Sequence, residues 1–431
     1  MGLGGRAKEL LPPSPPPTFS CVMSLRVRVL ALTVLTSITV LSIFWSRLQV
    51  SQVSFPAIEW TIGSNSLSRG VCSLESSSRS SRLNETLFQV AAIDPPDALM
   101  RKQVGEILDA RISNGYFRRA HVSAVRDPDR LLLAQISTPK HIPFWPLFKT
   151  MVREWTDKKR FDPQEAMHSL VTEIKDPIVR HYNNRELPPE NSSNSLNQTQ
   201  EKKSKYRKCA VVGNSGILLK QSYGSFIDSH DMVMRLNNAQ ISGYEKFVGS
   251  KTTISFVNSN IFHRCSRRAD CFCHPYGMKV PIVLYICQVI HIMDVAVCQK
   301  PERAPLLVTD PRFDVLLARL VKWYSVKEFM EKTGQSLDRW HAVHDGESFH
   351  YSSGMQAVML ALGICEEVDL FGFGKSDMSP HHYHTRQKQE LGLHDYEAEY
   401  RIYEDLSQRC AKSMPFLNQT GFEIPPLHIF L

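Results

Sequence analysis

Residues Lys208–Ala239 read KCAVVGNSGILLKQSYGSFIDSHDMVMRLNNA, an apolar run that breaks into a small polar turn bounded by glycines. Cys209 to Val212 have the continuous apolar character of a buried strand, and Gly213-Asn214-Ser215-Gly216 form the turn. In an open α/β sheet, the turn after a parallel strand is where nucleotides bind, because glycines let backbone N–H groups approach a phosphate. This stretch predicts an α/β fold with a nucleotide at the carboxyl end of an early strand.

Outward from it, strand and helix patterns alternate after Lys205. The strand candidates are Lys208–Val212, Met232–Leu236, Thr253–Val257, Ile282–Cys287, Leu306–Thr309 and Val368–Phe373; Phe313–Tyr324, Met355–Leu362 and Tyr396–Leu406 read as helices. Upstream, residues 85–185 read as a helical region, either a separate cap or part of the same catalytic domain, with Asp97 and Asp162-Pro163 as helix starts. Residues 186–204 (ELPPENSSNSLNQTQEKKS) are too polar to bury a core and read as a disordered loop.

Val29–Trp45 is an uncharged, mostly apolar run of 17 residues, preceded by Arg6, Lys8, Arg26 and Arg28. That length is at the short end of a bilayer span, and the positive flank keeps the amino end cytosolic. The expected layout is a cytosolic tail at 1–28, a signal-anchor at 29–45 in a thin early-secretory membrane, and a serine-rich luminal stem at 46–84. A luminal location agrees with glycosylation acceptors at Asn84, Asn191, Asn197 and Asn418, and with nine of ten cysteines following the anchor. The net charge of +8 comes without a basic run interleaved with aromatics, so a nucleic-acid polymer is not an expected partner.

Two nucleotide fingerprints are missing. Gly213 to Lys220 lacks the Gly-Lys-Ser/Thr ending of a phosphate loop, and it lacks the three spaced glycines of a dinucleotide site. Ser215 has no Gly-x-Ser-x-Gly elbow around it. Three further segments carry chemistry. In His350-Tyr351-Ser352-Ser353-Gly354, hydroxyls and N–H groups at a helix start suit an anion, although plain N-capping also accounts for them. His381-His382-Tyr383-His384 and His394-Asp395-Tyr396-Glu397-Ala398-Glu399 bring side chains suited to proton transfer near neutral pH. Zinc is an alternative for the histidines and for Cys265 with Cys271-Phe272-Cys273-His274, disulfides being the plainer account of the cysteines, and the pairing of Cys265, Cys271, Cys273, Cys287 and Cys298 stays open. Asp127-Pro128-Asp129 mimics a metal-binding Asp-x-Asp but lies outside the α/β core.

In this order and spacing, the four segments resemble the sialyltransferases of glycosyltransferase family 29, over roughly Lys205 to the carboxyl end, and most resemble its plant branch. CAVVGNSG…RLNNA is similar to that family's large motif, SSGMQAVMLALGICEEVDLFGFG to its small motif, HHYH to its third, and His394 with Glu399 to its very small motif. The resemblance implies a metal-independent, glycosyltransferase-A-like variant with a Rossmann-like, mostly parallel sheet, anchored in the Golgi membrane as a single-pass type II protein. It implies transfer of sialic acid or a related ulosonic acid from a CMP-sugar to a galactose-like hydroxyl of a glycan, with no cofactor. Asn214, Ser215, Gly216, Asn237, Ser352, Ser353 and Gly354 would bind the donor nucleotide. His382 would hold the donor phosphate, His394 would be the general base, and His381, Tyr383 and Glu399 would support the motifs. Cys209 and Cys365 match the family's disulfide, joining the first strand to the end of the small motif's helix. Ile217, His350 and His384 depart from residues common in animal members, the first two at the donor site. Two alternatives stand beside this reading: a galactosyltransferase using UDP-galactose on the same scaffold, and a glycan-binding or assembly protein without turnover.

Overall fold

The structure is a computed structural model that describes residues 78–94, 97–108, 142–186, 206–266, 276–344 and most of 349–431. The expected tail, anchor and most of the stem lie outside the described residues, as do residues 187–204 of the expected loop with Asn191 and Asn197, and Asp127-Pro128-Asp129. Among the described residues no helix is long and apolar enough to cross a membrane.

The core is a seven-stranded parallel sheet: β1 Tyr206–Val212, β2 Met232–Leu236, β3 Ile254–Asn258, β4 Ile282–Tyr285, β5 Leu306–Val308, β6 Cys365–Phe371 and β7 Leu427–Phe430. The order across it is β5-β4-β3-β2-β1-β6-β7, and every pairing is parallel. The chain therefore builds outward from β1 on one side, then crosses back to place β6 on the other. The carboxyl ends of β1 and β6 flank this reversal, where parallel sheets open a crevice for ligands.

The two-residue period of a strand assigns the faces. Cys209 and Val211 of β1 lie in register with Met232 and Met234 of β2 and with Val368 and Leu370 of β6, and all are buried in one core. Ala210, Val212, Val233 and Phe371 fill the opposite face. Burial on both sides explains why the β1 sequence is continuously apolar from Cys209 rather than alternating.

Helices flank the sheet. Those used below are α1 Ser78–Ala91, α2 Asp97–Leu108, α3 Trp145–Lys158, α4 Pro163–Ser169, α5 Asp176–Glu186, α6 Ser259–Ser266, α7 Ile292–Cys298, α8 Pro311–Thr333, α9 Leu337–His344, α10 Ser353–Ile364 and α11 Tyr396–Ser407. All twelve residues of α10 are buried, and apart from Ser353 and Gln356 its sequence has no polar side chain on any face. A π turn, Leu170–Lys175, joins α4 to α5, and Leu170 packs where a side chain at Gly363 of α10 would have to sit. Of the helices before residue 186, α1, α4 and α5 share the main core through Leu87, Ala166 and Ile178, while Val104 of α2 and Phe148 of α3 pack in a second cluster with Val257, Leu284 and Leu306 of β3, β4 and β5.

Several boundaries differ from the sequence reading. Helix α1 starts at Ser78, inside the segment read as stem, and carries an exposed Asn84. β6 starts at Cys365 directly after α10, three residues earlier than expected, and β4 stops at Tyr285, where Cys287 instead donates its backbone N–H to Ser259 Oγ at 2.9 Å. Helix α8 extends from Pro311 to Thr333 because Asp310 caps Arg312 N and Gly334, at φ 66°, ends it in the left-handed conformation. Strand β7 has only four residues after Pro425-Pro426, too few to show a period.

The structure pairs Cys209 with Cys365, 156 residues apart, and so ties β1 to the junction of α10 and β6. Cys298 is also disulfide-bonded, whereas Cys287 is a free thiol that burial pushes up to about 12. Closing so long a loop restricts the unfolded chain strongly. Replacing Cys209 and Cys365 together by serine is expected to cost about 2–5 kcal/mol in chemical denaturation; a loss below about 1 kcal/mol would show that the bridge contributes little to stability.

Candidate active site

The site grows from the end of β1. Gly213 N–H donates to Phe371 O of β6 at 2.8 Å, and a Cβ on Gly213 would stand 2.6 Å from Gly372 O. Gly216 N–H donates to Pro380 O at 2.9 Å, where a Cβ would meet that oxygen at 2.5 Å. Both glycines are required by close backbone approach, one to the loop after β6 and one to the loop carrying the histidines.

The polar side chains of the turn divide into two kinds. Ser215 Oγ donates to Gly374 O at 2.7 Å, so its hydroxyl fastens the β1 turn to the β6 loop. Asn214 differs: its backbone carbonyl accepts from Tyr383 N at 2.9 Å, while its side-chain Oδ1 is buried without a hydrogen-bond partner. A buried acceptor without a donor is costly, and a hydroxyl or ring N–H of a bound nucleoside would satisfy it. Asn237, at the end of β2, adopts φ 55° and its Oδ1 accepts from Asn258 N at 3.0 Å. Asn258 in turn donates from Nδ2 to Ser353 Oγ at 3.2 Å, joining the ends of β2 and β3 to the start of α10.

At that start, Ser352 caps α10 by accepting from Met355 N. The N–H groups of Ser353 and Gly354 open the first turn, where a helix offers donors and positive potential to a phosphate. Ser352 is itself held by Glu399: its N–H donates to Oε1 at 2.6 Å and its hydroxyl to Oε2 at 2.5 Å, and Tyr403 OH donates to the same Oε2 at 3.3 Å. Glu399 is 1% exposed, and burial pushes its carboxyl up to about 7 against the pull of these donors. Its place in the site is to fix the cap of α10.

His394 lies immediately before α11. Its Nδ1 is 3.1 Å from His350 O, and a carbonyl can only accept, so Nδ1 carries the proton and Nε2 holds the lone pair. Burial, aided by the neighbouring His350 ring 4.9 Å away, pulls His394 down to about 4 and keeps it neutral. The next residue, Asp395, caps α11 through Ala398 N and accepts from Ser325 Oγ at 2.6 Å, and Trp340 Nε1 donates to that same Ser325 oxygen at 2.9 Å. Ser325, Trp340 and Asp395 thus pin the loop that presents His394. The Asp395 cap, three residues before Ala398, is a signal legible in the sequence; Ser325 and Trp340, distant along the chain, carry none.

The third motif converges on the same place. His381 stacks on His382, and Tyr396, beside His381 at 5.2 Å between ring centroids, also contacts the ring of His394 at 5.7 Å. His382 is pulled down to about 4 by burial, then by His381 and His384. His384 Nε2 is buried without a partner. Tyr383 faces away: it is buried and its hydroxyl donates to Gln240 O at 2.6 Å, which makes it a support of the turn rather than a contact. The predicted residues therefore gather around the β1–β6 crevice, with Ser215, Ser352, Tyr383 and Glu399 engaged in building it and Asn214, the start of α10, His382 and His394 left as its chemical groups.

A parallel sheet that reverses between β1 and β6 is the setting in which an open α/β fold binds a ligand at its carboxyl edge. The chain belongs to glycosyltransferase family 29 (sialyltransferase), whose model matches residues 155–411. It is 46% identical to the β-1,6-galactosyltransferase GALT29A of Arabidopsis thaliana over 80% of this chain and 86% of that protein. It is 42% identical to sialyltransferase-like protein 1 of Oryza sativa subsp. japonica over 80% and 87% of the two chains. An α-2,3-sialyltransferase of Sus scrofa is 31% identical over 46% of this chain and 54% of its own length. A crystal structure of a mammalian sialyltransferase with Gal-β-1-3GalNAc-ortho-nitrophenol is 25% identical, covers 65% of this chain and 94% of that one, and has a TM-score of 0.33.

Glu399 sets a pH dependence. Its folded pKa of about 7 lies above the unfolded carboxylate value, so folding favours the protonated form. Its contribution is full below the unfolded pKa and is lost as pH rises through 7. Relative to wild type, Glu399→Gln is expected to gain stability by about 3 kcal/mol as pH rises from 4.5 to 8, read by urea denaturation at each pH; parallel stability curves would contradict the assignment.

Proposed function

We propose that the chain is an inverting glycosyltransferase moving galactose from UDP-galactose to a hydroxyl of a galactose-bearing glycan. The observation that carries the reaction is the fixed tautomer of His394, whose Nδ1 is held by His350 O and whose ring is joined to that of His381 through Tyr396. Nε2 takes the proton of the acceptor hydroxyl as its oxygen bonds to the anomeric carbon, and the bond from that carbon to the donor phosphate breaks with its electron pair leaving on the nucleotide. One displacement inverts the carbon. The charge on the departing nucleotide falls to His382 and to the N–H groups opening α10, and a phosphate beside His382 favours its protonated form against the two neighbouring rings. The transfer proceeds on a glycosyltransferase-A-like scaffold without a catalytic metal.

The galactosyl donor is supported by the name of the 46% identical relative and by Ile217. Ile217 is buried and brings no polar group to the donor loop, which suits a sugar without the carboxylate of an ulosonic acid. A second reading, transfer of sialic acid or Kdo from a CMP-sugar, is favoured by the resemblance of the four motifs to those of sialyltransferases. In both, the protein sits in the Golgi membrane through Val29–Trp45 with its catalytic domain luminal, and the exposed Asn84 and Asn418 are glycosylated.

The donor is tested by offering the purified protein UDP-galactose, CMP-sialic acid and CMP-Kdo with galactoside acceptors. Acceptor-dependent release of UDP is expected; release of CMP in its place would overturn the donor, and release of neither would leave a glycan-binding protein. His394→Ala is expected to lower transfer by at least about 100-fold while the thermal stabilisation produced by the nucleotide stays near that of wild type. Loss of both together would remove His394 from the role of base.

A further inference from the structure

The loop that carries the third motif is fastened to the donor turn twice, by Gly216 N–H to Pro380 O and by Tyr383 N–H to Asn214 O, both at 2.9 Å. It presents a row of imidazoles. His381 lies on His382 with ring centroids 4.6 Å apart, and His384 lies on His382 at 5.7 Å with its plane only 6° from parallel. His381 is the member nearest the base: Tyr396 contacts both its ring and that of His394, and of the row it is the one whose charge bears on His394. Tyr383 supports His384 edge-on at 4.8 Å, and is itself held by Gln240 O.

The nitrogens of the row differ in what they meet. Thr385 Oγ1 lies 3.3 Å from His382 Nδ1, which turns Nε2 of that ring to a ligand, while His384 Nε2 is buried with no hydrogen-bond partner. A buried nitrogen without a partner is costly, and the cost is recovered when a ligand oxygen reaches it. Burial pulls all the imidazoles of the row below the ordinary histidine value, and among the described residues no carboxylate opposes this. The row therefore becomes cationic only against negative charge brought by a ligand, and each imidazolium calls for a charge of its own.

Parallel rings 5.7 Å apart cannot converge on one small ion, but they suit two anionic groups side by side. A diphosphate is such a ligand, since its adjacent phosphoryl groups offer separate oxygens and separate charges. A single phosphate joining nucleoside to sugar would engage one ring and leave the other unpartnered. The transfer proposed above uses no metal, so the charge of a diphosphate leaving group must be taken up by side chains and N–H groups.

We propose that His384 is the second phosphate-binding residue of the donor site, His382 holding the phosphate bonded to the sugar and His384 the phosphate bonded to the nucleoside. The order follows from the row, in which His382 lies between His384 and the His381 end that adjoins the base. This rests on the crevice being the donor site of the proposed reaction, and it makes His384 the residue that selects a diphosphate-linked sugar over a monophosphate-linked one.

Full-length protein is titrated calorimetrically with UMP, UDP, CMP and CDP, and the bound nucleotides are followed by phosphorus NMR. In the wild type UDP is expected to bind at least about tenfold more tightly than UMP, the size of one added hydrogen bond to a charged group. His384→Phe keeps a ring against Tyr383 and removes the nitrogen. It is expected to weaken UMP and UDP alike by about tenfold or more and to move the resonance of the nucleoside-linked phosphorus alone. His382→Phe is expected to weaken UDP, leave UMP nearly unchanged and move the terminal phosphorus. His384→Gln, which retains an N–H donor, is expected to recover most of the loss, as a ring that only packed would not allow. If the second phosphate adds nothing with either base, the diphosphate grip is overturned whichever base is preferred, and no variant is needed to see it. Undiminished binding and an unmoved resonance in His384→Phe would remove His384 from the site. A gain from the second phosphate confined to the cytidine pair would uphold the grip and overturn UDP-galactose as the donor.

Discussion

The structure depends on how closely two backbones can meet at the point where the sheet reverses direction. Gly213 lies so close to the Gly372 carbonyl that it could not carry a side chain, and a side chain at Gly372, at φ 77°, would meet Leu218 of the donor turn. This contact sets the separation of the β1 and β6 loops, and with it the width of the crevice. Ser215 then crosses the gap to Gly374, and Gly216 rests on Pro380, so the histidine loop is carried on the same two strands. A larger residue at Gly213 would displace the donor turn and the third motif together.

Around that contact the polar groups form two layers. In the proposed reaction, Asn214, His382, His394 and the first turn of α10 form the inner layer. An outer layer of Glu399, Asn258, Asp395, Ser325 and Trp340 holds the inner one by hydrogen bonds from α11, β3, α8 and α9. Another buried chain, in which Gln356 donates to Tyr351 and Tyr351 to Asp314, which also pairs with Lys159, links the residue before Ser352 to the segment just after α3. The helical segment upstream of β1 therefore contributes to the position of the small motif, in addition to covering the sheet.

Much of this was legible in the chain. β2 was bounded correctly because Met232–Leu236 is apolar but for Arg235 and flanked by polar turns, and the start of α11 at Tyr396 also matched. The order of the motifs indicated which residues would gather, although they span the chain from Asn214 to Glu399. What sequence could not supply was the partner of each hydroxyl. Ser352 reads as a helix cap and is one, yet its bond to a buried carboxylate 47 residues later has no local signature. Nor does sequence distinguish Asn214, with an unsatisfied oxygen, from Asn237, whose oxygen already accepts from β3.

The unpaired thiol of Cys287 has a consequence for the fidelity of oxidation. A cysteine left unpaired in a chain with disulfides can attack them and scramble their connectivity, but only as the thiolate. With its pKa pushed up to about 12, Cys287 at neutral pH is ionised to about one part in 10⁵. Once the sheet has closed, the Cys209–Cys365 bond is therefore shielded from exchange by the same low-polarity surroundings that raise the thiol. Before closure no such protection exists, so the correct pairing is at risk only during folding, and the finished core preserves it.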